Sequence, residues 1–104
     1  MRYTRLATYD VLKGTFPELT RLAAEGIRPL LASEPGFIDY GLIDAGHNKV
    51  VSISIWATRE DAQKSAILAS SWVKETVPGR LRLVTSYVGN LALFHGRAGT
   101  AQAT

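Results

Sequence analysis

Apolar and polar positions change period several times along this chain, and each change marks an element. Residues 3–12 mix aromatic, β-branched and aliphatic side chains with no Gly or Pro before Gly14, a pattern that predicts a first strand. The period then lengthens. Leu19, Leu22, Ala23, Gly26, Ile27 and Leu30 recur at steps of three and four, which lays one apolar stripe along a helix. Thr15 and Glu18 stand at capping-box spacing at its start. Pro29 has no amide proton and crowds the carbonyl of Glu25, so a kink or early break is expected near Arg28. Pro35 and Gly36 punctuate the chain again. Residues 37–44 read as a second strand, Ala45, Gly46, His47 and Asn48 as a turn, and residues 50–56 as a returning third strand. Thr58, followed by the acidic Glu60 and Asp61, caps a second helix that runs to about Val77. Its inward stripe, Ala62, Ala66, Ala69 and Val73, is small enough to lie close on a sheet. Pro78 and Gly79 stop it, and residues 81–95 form a last strand in which Gly89 and Asn90 predict a bulge or bend.

The order strand, helix, strand, strand, helix, strand is the split βαβ, ferredoxin-like arrangement: a four-stranded antiparallel sheet with both helices on one face. A chain of 104 residues has the size of one domain, expected over residues 1–95, with residues 96–104 as a flexible tail. The third strand alternates two sets of side chains: Val51, Ile53 and Ile55 point one way, Val50, Ser52, Ser54 and Trp56 the other. The first, all-apolar set is expected to meet the helices. The face carrying Trp56 is too apolar to leave in water, and a second copy packed against it about a two-fold axis is the simplest cover. Small hydroxyl residues there would leave room, so the expectation is a homodimer enclosing a cavity lined by Ser52, Ser54 and Trp56. If His47 and Asn48 form a two-residue loop, Asp39 falls opposite Trp56 beside that cavity; a slip of one residue exchanges Asp39 for Tyr40. The first register keeps an unpaired carboxylate off the helix-covered face and is favoured for that reason. Trp72, at the edge of the second helix's inward face, is placed in the core, at an interface or on the cavity wall.

Composition narrows the chemistry. The net charge of +3 is scattered, without a basic stripe interleaved with aromatics, which argues against a nucleic-acid partner. Cysteine is absent, so disulfides, thiolate metal sites and a Cys nucleophile are excluded. No run approaches the about 20 apolar residues of a membrane span, and residues 1–10 lack the apolar core of a signal peptide, which together lead to the expectation of a cytoplasmic protein with no membrane partner. No phosphate-cradling glycine motif occurs, and the two histidines, His47 in a turn and His95 at the end of the last strand, lie far apart with no acidic cluster. Neither a nucleotide cofactor nor a metal is therefore expected. No His or acid stands at a readable triad spacing to activate Ser52 or Ser54. Arg80 and Arg82, after the second helix, could attract an anionic substrate.

PGFIDY after the first helix and, above all, SISIWATREDA, where a strand ends in Trp56 and runs at once into a capped acidic helix start, resemble the antibiotic biosynthesis monooxygenase-like domain of the dimeric α+β barrel superfamily. The likeness covers about residues 3–95. It implies a cofactor-independent monooxygenase, or related enzyme, acting on a small aromatic or polyketide-like substrate in the barrel cavity. Some relatives turn aromatic polyketides into quinones with neither metal nor flavin. Trp56 matches their pocket Trp, while Ser52 stands where they carry Asn, and a hydroxyl orients a substrate less strongly than an amide. Haem-degrading relatives use a His on the second helix as iron ligand, and residues 59–77 contain none. The superfamily also implies an alternative, a non-catalytic dimeric module that binds a small ligand or serves in a stress response.

Overall fold

The structure, a computed structural model, describes residues 1–94. Its elements are β1 (Tyr3–Val11), α1 (Phe16–Glu25), α2 (Ile27–Ala32), β2 (Phe37–Gly46), β3 (Lys49–Trp56), α3 (Arg59–Thr76) and β4 (Leu81–Asn90). The strands form one antiparallel sheet in the order β2-β3-β1-β4, the ferredoxin-like topology.

Local chemistry accounts for the helix ends. Thr15 Oγ1 accepts from the Glu18 amide while Glu18 Oε1 accepts from the Thr15 amide, so the capping box forms in full. At α3 the Thr58 hydroxyl accepts from the Asp61 amide and donates to the Asp61 carboxylate. The first helical run breaks at Gly26, two residues before the expected position. Pro29 leaves the Glu25 carbonyl without its amide donor, and Gly26 is the residue best able to absorb the resulting deviation, with φ of −115° and ψ of −76°.

The sheet corrects the expected facing of the third strand. Val50, Ser52, Ser54 and Trp56 are all buried beneath the helices, and Val51, Ile53 and Ile55 occupy the opposite, open face. Trp56 packs with Ala23, Ile27, Leu31, Ala62 and Ala69; Val50 packs with Ala7 and Tyr9. The α3 stripe is as expected in Ala62 and Ala69, with Ser65 also buried and its hydroxyl donating to the Ala62 carbonyl.

The β2–β3 register also differs. His47 and Asn48 form the two-residue loop, both with positive φ (51° and 59°), and Gly46 pairs with Lys49. Ala45, however, is an extra residue in β2, and this bulge slips the pairs from Asp44 to Asp39 by one, so that Tyr40 lies opposite Ser54 and Leu42 opposite Ser52; a second shift at Ile38 then sets Phe37 opposite Trp56. Asp39 faces Ile55, exposed on the open face, and is not beside the cavity. In β4 the bulge falls at Val84, not at Gly89 and Asn90, and the strand ends at Asn90. His95 and the expected tail, residues 96–104, lie outside the described residues.

Candidate functional site

Antiparallel partners point to the same face, so the register builds the floor beneath the helices row by row. One row, read from β4 to β2, is Val88, Arg5, Ser54 and Tyr40; the next is Ser86, Ala7, Ser52 and Leu42. Ser52 and Ser54 are short where a core strand would carry Val or Ile, and they leave a gap between sheet and helices. That gap is a small cavity of about 50 Å³, roofed by Leu19, Ala23, Ile27 and Leu31 and closed at one side by Ala69 and Trp72. Polar groups enter it only from Arg5, Tyr9, Tyr40, Ser52, Ser54 and the edge of Trp72. It belongs to a single chain and lies under the helices, not between two copies.

Trp72 reaches this wall because Gly26 yields space: a Cβ at Gly26 would stand 2.5 Å from Trp72 Nε1. The break between α1 and α2 therefore shapes the cavity. Trp56 does not line it. At 1% exposure Trp56 is sealed in the neighbouring core, edge-on to Phe37 with ring centroids 5.5 Å apart, and its Nε1 donates to Ser54 Oγ at 2.9 Å. That bond occupies and orients the Ser54 hydroxyl. Of the residues the sequence singled out, Ser52, Ser54 and Trp72 come together at the cavity, Trp56 supports it from behind, and Asp39 is excluded.

Three groups emerge that the sequence alone did not single out for the cavity as built. Arg5 is 6% exposed, with Nε donating to Ser86 Oγ at 3.2 Å. Tyr9 is buried beside Val50. Tyr40, raised in the sequence only as the product of a slipped register, has its hydroxyl pKa pushed well above the usual tyrosine value by burial, then by Tyr9, with Arg5 opposing. The available signal for Arg5 was its alternation with Ala7 and Tyr9, but the competing set Thr4, Leu6 and Thr8 is no more polar.

His47 is exposed in the hairpin loop, and among the described residues the cavity wall contains no imidazole, thiol or thioether. Among the described residues this wall offers haem iron no imidazole or thiolate ligand. Among the described residues no group of three or more His, Cys, Asp or Glu could hold a metal ion, and no helix is long and apolar enough to cross a membrane.

A family profile described as antibiotic biosynthesis monooxygenase matches residues 2–66. The chain belongs to the antibiotic biosynthesis monooxygenase family. Among solved structures it is similar to SnoaB, a cofactor-independent oxygenase from Streptomyces nogalater, at 16% identity over 88% of this chain and 94% of that one, with a TM-score of 0.68. It is also similar to a heme-degrading protein from Mycobacterium tuberculosis, at 18% identity over 92% and 100% of the two chains and a TM-score of 0.60. A dimeric ferredoxin-like protein from an uncultured marine organism gives 13% identity over 93% and 100%, with a TM-score of 0.69. At these identities the likeness establishes the fold. No curated protein matches in sequence.

Proposed function

We propose that this family member is a cofactor-independent oxygenase that takes a small, electron-rich aromatic molecule into the cavity between its helices and its sheet. The observation that carries this reading is the cavity itself: aliphatic walls around a floor where hydroxyls and one guanidinium are the polar contacts. The reaction class is conversion of a phenol to a quinone. The ring gives up its O–H and one C–H hydrogen, both leaving in water with one atom of dioxygen, while the other oxygen atom becomes the new carbonyl. The substrate supplies the electrons. The chain's task is to exclude water with Leu19, Ala23, Ile27 and Leu31 and to fix the ring against Trp72. Tyr40, held protonated, can donate a hydrogen bond to a substrate oxygen.

The test is oxygen uptake and quinone absorbance with a series of naphthols and anthrones, using labelled dioxygen to follow one atom into the product. Uptake no faster than without protein, across the series, would end the oxygenase reading. One observation favours a second reading, a non-catalytic binding module: among the described residues the wall has no carboxylate or imidazole to act as a base near neutral pH. Saturable binding without uptake would select it.

A second copy is proposed to cover the open face, where Leu6, Val51, Ile53, Ile43 and Tyr87 form an apolar field. At its rim Asp10 sits between Lys49 and Arg82, whose hydrogen bonds hold its carboxyl below the usual range.

A further inference from the structure

We infer that Arg5 is an anion-recognition group, binding an oxyanion carried by a ligand whose apolar body fills the cavity under the helices. The inference rests on the proposed use of that cavity and adds the charge of its ligand.

Arg5 is more than nine-tenths buried, and its ionic state is not adjustable, because a guanidinium does not deprotonate in proteins. A buried charge of this kind is ordinarily paired. Here it is not. All 9 acidic residues of the chain fall within the described residues, and the ion pairs they form engage Arg21, Lys49, Arg80 and Arg82, never Arg5. Its hydrogen bond to Ser86 uses Nε alone. No side-chain nitrogen or oxygen sealed from solvent lacks a partner among the described residues, so the terminal guanidinium nitrogens open onto free space. A second copy across the open face could not supply the missing carboxylate either, since Arg5 points to the helix side of the sheet.

The position is specific. Arg5 lines the cavity described above and also a second one between α3 and β4, of about 290 Å³, where Ser70, Lys74 and Ser86 join it. Among the described residues neither wall contains a carboxylate. One side of Arg5 is thus apolar, while the other adds the Lys74 ammonium and the Ser70 and Ser86 hydroxyls. A flat aromatic body with an oxyanion on its edge matches both. The planar fork of the guanidinium suits a carboxylate bidentately, and a phenolate or enolate through one oxygen.

The test compares naphthoate with naphthamide, equal in shape and different in charge, by calorimetry on the wild type and on Arg5→Met. The expected result is that wild type prefers naphthoate by about tenfold or more, and that the variant loses this preference while its naphthamide affinity holds within about twofold. Equal affinities in the wild type, a preference that survives the substitution, or no binding of either compound would each overturn the inference. If Arg5→Met fails to fold, Arg5→Lys takes its place: a point charge without the fork should lower the preference several-fold, and an unchanged preference overturns the assignment. On the wild type, the Arg5 Nε–H resonance should move on titration with naphthoate and stay still with naphthamide. Naphthol titrated above and below its own ionisation separates a phenolate ligand from a carboxylate one. Oxygen uptake is scored separately. Turnover of neutral phenols without anion preference sinks this inference alone, and anion preference without turnover sinks only the oxygenase reading.

Discussion

Trp56→Ala is expected to cost this protein much of its stability, and more stability than ligand affinity. The side chain is 1% exposed, so the full transfer term applies, and its neighbours Ala23, Ala62 and Ala69 are too short to close the hole left behind. Truncating a packed Trp ordinarily costs about 3–5 kcal/mol. Loss of the Nε1 bond also removes the donor of a buried Ser54 hydroxyl, worth about 1 kcal/mol, which places the expected loss at about 4–6 kcal/mol. A domain of this size holds about 5–15 kcal/mol in all. With a urea m-value of about 1.5–2 kcal/mol per molar, the midpoint should fall by roughly 2–4 M. Denaturant melts must be run at one protein concentration, because a self-associating protein gains stability with concentration. Trp72→Ala is the control: Trp72 is half-buried on the cavity wall and should lose aromatic-ligand affinity at a smaller cost in stability. A Trp56→Ala protein within about 1 kcal/mol of wild type that no longer binds aromatic compounds would refute the reasoning and return Trp56 to the pocket.

Other consequences follow from the same geometry. Gly26→Ala must push Trp72 aside, since the new Cβ would stand 2.5 Å from its Nε1; a loss of about 1–3 kcal/mol and altered ligand affinity are expected, read by melts and Trp fluorescence. The raised pKa of Tyr40 contributes stability that is complete below the unfolded tyrosine value of about 10 and is lost as pH rises above it, so Tyr40→Phe should flatten the alkaline fall in stability while leaving neutral-pH stability little changed. Ile53→Glu places a charge at the centre of the open face and should shift sedimentation from dimer to monomer; an unchanged monomer in the wild type would show that the face needs no cover.

Much of the fold was determined by sequence signals that act over a few residues. The capping box at Thr15, the cap at Thr58, the two-residue loop at His47 and Asn48 and the stop at Pro78 and Gly79 each depend on bonds within one turn of chain, and each appears where the sequence places it. The element order, hence the ferredoxin-like topology, follows from them. Which face of β3 meets the helices was not determined in that way. Alternation separates Val51, Ile53 and Ile55 from Ser52, Ser54 and Trp56, but a strand with large apolar residues on both faces carries no local mark of which face the helices cover. The helices took the face with Ser52 and Ser54, where short side chains leave a cavity and Trp56 fills the remainder. One residue, Ala45, then decided between Asp39 and Tyr40, because a bulge moves the side chains between it and the next shift to the other face while leaving the loop itself unchanged. Arg5 became visible only when β1 was seated between β3 and β4, since its isolation is a fact about which carboxylates the folded chain brings near it, and sequence spacing does not encode that distance.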